Sequence, residues 1–325
     1  MAIGAGIGAQ LGIITETTFN TYIAVTRFYE FTSENITYNK KTAVGMGLRA
    51  GGQLPRSQRR VVTSYDAGGD IMLDLPTRGL GVLLSHAMGS APSPTTVSTG
   101  VYSYTFTLGD VYGRSFSAQV GVPQYGGTVL AKTVTGAKIQ SFELAVANSG
   151  IATGKFTVDA AGFVTTQSLA TASYSATGSV FNFSQGSLTV DATAVANVKD
   201  FSITVDNSLK QDRFTLGGLG AKSEQTINGF RKVSGKLTAE FTDVTLMNKF
   251  LTDSAAALVL SFVGSTIAST YKDTLTITIP AAKFDADTPN VTGPGTVDLA
   301  MTFEVYDDGT NQPVTVFYQT AEAAL

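Results

Sequence analysis

The chain has 325 residues, no cysteine, a single histidine and a net charge of −3. Those counts exclude a disulfide framework, thiolate chemistry and any two-histidine metal site within one chain, and the charge is too small to draw in nucleic acid by simple attraction. Charged residues make up only 14% of the chain, against a usual figure of about 25%, so either neutral Thr, Ser and Gly cover the surface or much of it is buried against other subunits.

The first ten residues carry Gly4, Gly6 and Gly8 but lack the Gly-Lys-Ser/Thr of a phosphate-binding loop and follow no strand. They also lack a basic region followed by a long apolar core, so they are read as an N-terminal arm on a cytoplasmically made protein rather than a signal peptide. No stretch approaches the roughly 18–20 apolar residues of a membrane helix. From there on, alternation of apolar and polar residues dominates, with Val, Ile, Thr, Phe and Tyr abundant. Strands are predicted over 34–44, 60–66, 69–76, 101–108, 114–121, 137–147 and 153–159. The Ala-, Ser-, Thr- and Gly-rich stretch 160–197 holds a junction near residue 166. Further strands follow over 179–184, 186–191, 200–206, 230–241, 258–263, 273–280, 296–306 and 313–319. Gly113 and Gly309 mark turns, because glycine takes a positive φ without steric cost. Short strands with glycine-rich turns predict an all-β chain of sandwich or barrel type.

One helix is predicted in each half: 77–88, with Leu80, Leu84 and Ala87 on one face, and 244–254, with Leu246 and Phe250 on one face and Asp243 as N-cap. The halves repeat one another. Ile71, Leu73 and Leu75 match Leu237, Ala239 and Phe241 at an offset of 166, and Leu80 and Leu84 match Leu246 and Phe250 at the same offset. Ile36 matches Ile203 at 167. Further on, Phe116 and Val120 are aligned with Leu275 and Ile279, and Phe142, Leu144 and Val146 with Met301, Phe303 and Val305, all at 159. A duplicated module is the expected organisation, with a first domain over 1–165 and a second over 166–325.

Catalytic groupings are missing. His86 is expected to be a helix-face or capping residue. Asp285 with Asp287, and Asp307 with Asp308, have the hard oxygens a Ca²⁺ ion would use, but turn acids explain them as well. No cofactor motif is present, and no enzymatic activity is expected. The loop 45–60 carries Arg49, Arg56, Arg59 and Arg60 and no acidic residue. It reads either as a solvated basic loop or as a segment that docks on an acidic surface of a neighbouring subunit, for which the planar guanidinium is suited; phosphate binding is a third reading. Loops of this length in compact domains are usually functional or disordered.

Several segments carry a family resemblance: Arg27 to Phe31, Gly47 to Gly52, Gly68 to Ile71, Gly81 to Gly89, Tyr102 to Asp110, Asn228 to Arg231 and Asp307 to Pro313. In order and spacing they resemble the tail tube (major tail) proteins of long-tailed bacteriophages, across nearly the whole chain. The resemblance implies two tandem tail-tube β-sandwich domains, each with one flanking α-helix. It implies that hairpins of neighbouring subunits join into a barrel around a lumen, and that three two-domain subunits form a ring imitating six-fold symmetry. The long loop would reach the next ring, making Arg49, Arg56, Arg59 and Arg60 inter-ring contacts. Partners would be further copies of the chain and the tape-measure, tail-tip and tail-terminator proteins, in a virion tail made in the host bacterial cytoplasm. DNA would pass through the lumen without specific binding. If Ile71, Leu73 and Leu75 face the core, Asp70 and Asp74 face the lumen; the matching face of the second copy holds Lys236, Thr238 and Glu240, which departs from a purely acidic surface. Two alternatives remain: the inner tube of another contractile or injection machine, and a tandem β-sandwich binding module. The latter would call for an aromatic platform or a Ca²⁺ loop, and the chain has no tryptophan.

Overall fold

A computed structural model of the protein describes residues 4–175, 178–286, 288–291 and 293–325. Strands take up 50% of the chain and helices 8%, so the fold is all-β with minor helix. In the first half the order is β1 (Gln10–Thr15), β2 (Arg27–Tyr29), β3 (Ser33–Glu34), β4 (Thr37–Val44), β5 (Arg60–Asp74), α1 (Gly81–Met88), β6 (Thr95–Ser98), β7 (Val101–Thr107), β8 (Phe116–Pro123), β9 (Val129–Val146), β10 (Thr153–Ala160) and β11 (Gly162–Val164). The second half has β12 (Gly186–Val190), β13 (Thr193–Ala194), β14 (Val198–Asp206), β15 (Lys232–Glu240), α2 (Thr245–Leu251), β16 (Ala256–Ala268), β17 (Tyr271–Ala286), β18 (Asp298–Val305) and β19 (Thr315–Thr320).

The antiparallel pairing runs in the same scheme twice. In the first copy β1 pairs with β8, β8 with β9, β9 with β10 and β11, β10 with β5, and β5 with β4. In the second, β12 pairs with β16, β16 with β17, β17 with β18 and β19, β18 with β15, and β15 with β14. Each long strand, β9 and β17, serves two sheets. Its first part joins an outer sheet and its last part joins an inner one. The changeover falls at Gly136, held at φ +58°, and at Pro280, which has no N–H to give to a ladder. The inner sheets of the two copies fuse through β9 and β14, with Phe142 opposite Val205 and Leu144 opposite Ile203. One inner sheet of eight strands results, in the order β4-β5-β10-β9-β14-β15-β18-β17.

Strand register also tests the repeat residue by residue. Ile71 lies opposite Phe156, and Leu237 opposite Met301, so Ile71 and Leu237 are equivalent, as the 166 offset predicts. Asn35 and Ser202 are likewise equivalent at 167. A Cβ added at Gly69 would stand 2.6 Å from the Asn35 carbonyl oxygen, and one at Gly235 would stand 2.3 Å from that of Ser202. Both copies therefore keep glycine where the neighbouring backbone leaves no room for a side chain. Downstream the expected 159 offset fails. By pairing, β9 corresponds to β17 and β10 to β18, so Phe156 rather than Phe142 matches Met301, at 301 − 156 = 145. The change of 166 − 145 = 21 residues reflects the β6–β7 segment, inserted between helix and β8 in the first copy alone. Alternation has a period of two, so strands aligned one hairpin out of step still look equivalent.

The inserted β7 pairs with β19 at the far end of the chain, and Tyr104 stacks with Tyr318. Core residues of both copies form one cluster: Leu275, Ile277 and Val316 of the second copy share a small void with Leu80, Leu84, Phe142 and Phe156 of the first. Several sequence expectations change here. The expected N-terminal arm runs at Gln10 into an unforeseen strand, β1, held between β2 and β8 with Leu11 and Ile13 buried. The region 179–184 is no strand; it carries isolated bridges and a 3-10 turn. Helix α1 starts at Gly81, not Thr77, because Thr77 is tied to Ser179 and to the Tyr318 hydroxyl. Every residue of α1 is buried, so the expected one-sided apolar stripe is instead a helix enclosed all round. Helix α2 keeps the stripe: Leu246, Met247 and Phe250 pack on the core while Val244 and Leu251 are exposed. Asp243 is not the N-cap: Val244 holds that position, and the Asp243 carboxylate accepts the Thr245 amide at 2.7 Å from one residue further out.

His86 lies within α1, buried against Phe116, with Nε2 2.9 Å from the Thr15 hydroxyl. Burial, with Arg114 and Lys138 nearby, depresses its pKa to about 3. Unfolded histidine titrates near 6.5, so below that pH the unfolded chain binds a proton that the folded chain refuses. Its contribution is complete above about pH 6.5 and is lost progressively as pH falls toward 3, at up to about 1.4 kcal/mol per pH unit. Denaturant unfolding of His86→Gln should accordingly show a shallower loss of stability between pH 6.5 and 5 than the parent; equal slopes would reject the assignment. Replacing Gly235 with alanine should cost about 1–3 kcal/mol through forced displacement, read as a lower urea midpoint.

Candidate functional site

Two surfaces stand out: the outward face of the inner sheet, and a projecting arm. On β5 and the residue after it, Ile71, Leu73 and Leu75 are buried while Asp70 and Asp74 are half-buried on the opposite face. Rows of side chains cross the eight strands on that face. One runs Asp74, Thr153, Ala145, Ser202, Lys236, Thr302. The next row on one side contains Asp200, Thr238 and Ala300, and beyond it Glu240 lies opposite Asp298. Asp70, Asp74, Thr238 and Glu240, which come from separate copies in sequence, thus share one face of one sheet.

Two lysines at this face are engaged by acids, whereas Lys236 in the row above has no ion pair among the described residues. Lys155 Nζ lies 3.2 Å from Asp70, and Lys199 Nζ lies 2.7 Å from Asp298 and 3.3 Å from Glu240. Partial burial pushes the Asp70 carboxyl up, but the Thr157 hydroxyl, Lys155 and Asn35 outweigh it and hold its pKa below the usual value. None of the rows contains arginine; the only arginine in these eight strands is Arg60, at the start of β5. The result is a polar face that is mixed in charge, without free guanidinium groups to grip phosphate.

The arm is the β4–β5 hairpin with its loop. β4 is exposed along its whole length, as are the first four residues of β5 and nearly all of 45–59. Arg49, Arg56 and Arg60 are exposed; Arg59 is half-buried, its guanidinium folded over Gly47. None of the four has an ion-pair partner among the described residues. The same arm exposes Val44, Met46, Leu48, Leu54, Val61 and Val62. Apolar side chains grouped in this way on a projecting segment mark an interaction surface.

The corresponding loop of the second copy, 207–231, behaves differently: it lies down across the first copy. Lys222 is buried with Nζ 2.6 Å from Asp159 and 3.1 Å from Asp66. Lys138, also buried, donates to Glu224 at 2.7 Å and to the Val111 and Gln225 carbonyls. Gln225 donates to the Asp159 carbonyl, and Asn207 to those of Ala87 and Ile139. Burial raises the Asp159 pKa against the pull of Lys222, and burial lowers that of Lys138 against Glu224. Sequence reading missed this cluster, because its five charges are scattered over loop and strands with no motif spacing; only the register brings them together.

The candidate Ca²⁺ acids divide. Asp308 accepts the Thr310 and Asn311 amides and Asp307 that of Gly309, so both cap a turn. Asp287 lies outside the described residues. Among the described residues no group of three or more His, Cys, Asp or Glu is placed to hold a metal ion, and no helix is long and apolar enough to cross a membrane.

No curated protein matches the chain. The sequence profile for phage tail tube protein does match, over residues 6–305, taking in both copies of the repeated scheme save β19, the arm and the eight-stranded sheet. The chain belongs to the phage tail tube protein family: it is a structural component of the bacteriophage virion tail, assembling with itself into a tube and associating with other tail components.

Proposed function

We propose that this chain is two tube domains, 1–165 and 166–325, and that three copies close into a ring whose stacked repeats form the conduit for genome ejection. The observation that carries this is the eight-stranded inner sheet, made of two four-strand halves joined by β9 and β14. By the pairing scheme β17 is the counterpart of β9, and β4 the counterpart of β14. The outer edges of the sheet are thus the same two kinds of edge that already pair within the chain. Laying the end of β17 onto β4 of the next copy repeats that joint, and three repeats give 3 × 8 = 24 strands without a free edge. At about 4.8 Å between strands and a barrel tilt near 40°, such a barrel is roughly 45–50 Å across its backbone, room for a nucleic-acid duplex.

In that ring the core packs outside the barrel, and the face bearing Asp70, Asp74, Thr238 and Glu240 lines the lumen. The pairing of Lys155 and Lys199 with acids and the lack of arginine, with Lys236 the exception, suit a channel that must release its cargo, since basic groups would anchor phosphates through counterion release. The tape-measure, tail-tip and terminator proteins are the proposed partners at the tube's ends, and synthesis in the host bacterial cytoplasm goes with them. The family is structural and gives no reason to expect catalysis.

Electron microscopy of purified, concentrated protein should show hollow stacked rings whose end-on averages have three-fold symmetry with six-fold-like modulation. True six-fold or open filaments would reject the trimer. Asp70→Lys with Asp74→Lys should slow genome ejection from assembled particles by adding phosphate anchors at every ring, and unchanged ejection kinetics would reject the lumen assignment.

A further inference from the structure

The two loops between inner-sheet strands are nearly equal in length but placed differently. Between equivalent ends they span 40–65 in the first copy and 207–231 in the second, differing by one residue in length, since the offsets on either side are 167 and 166. The second-copy loop rests on the first copy, anchored by Lys222 on Asp159. Among the described residues the first-copy loop has no such anchor: its base touches the second-copy loop, the Tyr65 amide donating to the Gly220 carbonyl, while beyond it Arg49, Arg56, Arg60 and the apolar side chains are exposed.

The register supplies the missing anchor. Carrying the β5–β15 offset of 166 back into the loop, past the last ladder pairs, matches Lys222 with Arg56, at 222 − 56 = 166. Asp159 lies opposite Gly68 and Glu304 opposite Ser234. Because 234 − 68 = 166, Asp159 and Glu304 are equivalent. Glu304 is exposed, bonded only by the Tyr306 hydroxyl among the hydrogen bonds described. A cation is thus conserved between the copies at the loop position, and an acid at the receiving position. Asp66, the second acid under Lys222, corresponds to Lys232, so Glu304 would be the single acceptor, a role arginine's fork fills well.

We infer that the arm 40–65 lies across the second domain of the neighbouring subunit in the same ring, with Arg56 paired to Glu304 of that copy. This rests on the ring reading above and deepens it: the loop 207–231 is the intramolecular version of the same contact. It also differs from a loop that reaches the next ring. A contact within a three-fold ring closes after three steps, whereas a contact between rings is open-ended.

The cysteine-free sequence makes the test direct. Arg56→Cys with Glu304→Cys is assembled, treated with a short bismaleimide and run on a denaturing gel, with each single-cysteine variant as control. Crosslinked species ending at three chains are expected. A ladder continuing beyond three would overturn the inference in favour of an inter-ring contact, and intact rings without crosslinked chains would overturn it outright. Absence of rings in the unmodified protein would instead overturn the ring reading and this contact with it. A charge exchange reads the pair independently. Arg56→Glu should raise the concentration needed for assembly about tenfold or more, and adding Glu304→Arg should restore it; no effect of Arg56→Glu, or no restoration, counts against the pair.

Discussion

An open sheet edge sets the terms for this molecule. Every backbone N–H and C=O along an edge strand needs a partner, and an unpaired edge invites one from another chain. Within the protein that demand is met once, where β9 meets β14 through six residue pairs from Phe201 with Val146 to Asp206 with Ser141. The same joint buries Phe142, Leu144, Val146, Phe201, Ile203 and Val205, so ladder and core form together. The bent strands β9 and β17 make the arrangement possible, each feeding an outer sheet before turning into the inner one. Remove the bend, and the outer sheets lose the strand that ties them to the inner surface.

Charge is used sparingly and in two styles. On the polar sheet face Lys155 and Lys199 sit beside carboxylates with solvent at hand, where such pairs are worth little in stability but moderate the surface field. Under the loop 207–231 the pairs of Lys222 with Asp159 and of Lys138 with Glu224 are largely removed from water. There a pair need not beat a hydrophobic alternative, yet removing one partner strands the other at a cost of several kcal/mol. Such pairs fix which surfaces meet, and the loop could not slide by a residue without leaving a buried charge alone.

Much of the fold was legible because alternation is a direct imprint of a sheet with one buried face. The offset of 166 across β5 and β15 survived to the residue, down to the glycines at 69 and 235. The polar-face residues Asp70, Asp74, Thr238 and Glu240 followed from the same alternation. What escaped was whatever depended on distant pairing. The short strands β1 and β2 have too few residues to show a period, and the β6–β7 insertion shifted the downstream alignment by one hairpin without disturbing its parity. Total burial of α1 could not be read, since it arises from β7, β9 and the C-terminal Leu325 closing over it. The buried cluster around Lys222 joins residues more than sixty positions apart, and composition gives no hint of it.

The intramolecular β9–β14 joint has a consequence for how a ring would nucleate. Six separate modules must each surrender translational and rotational freedom to find their places, at a cost of several kcal/mol per association event. Here every second joint is already made inside one folded chain, at no dependence on concentration. In the proposed ring three intermolecular joints would replace six, and the two kinds of module would alternate without any chance of two like modules becoming neighbours. Covalent fusion also frees each copy to drift apart in sequence. One can carry an insertion, as the first does at β6–β7, that a ring of six identical modules would have to repeat at every position.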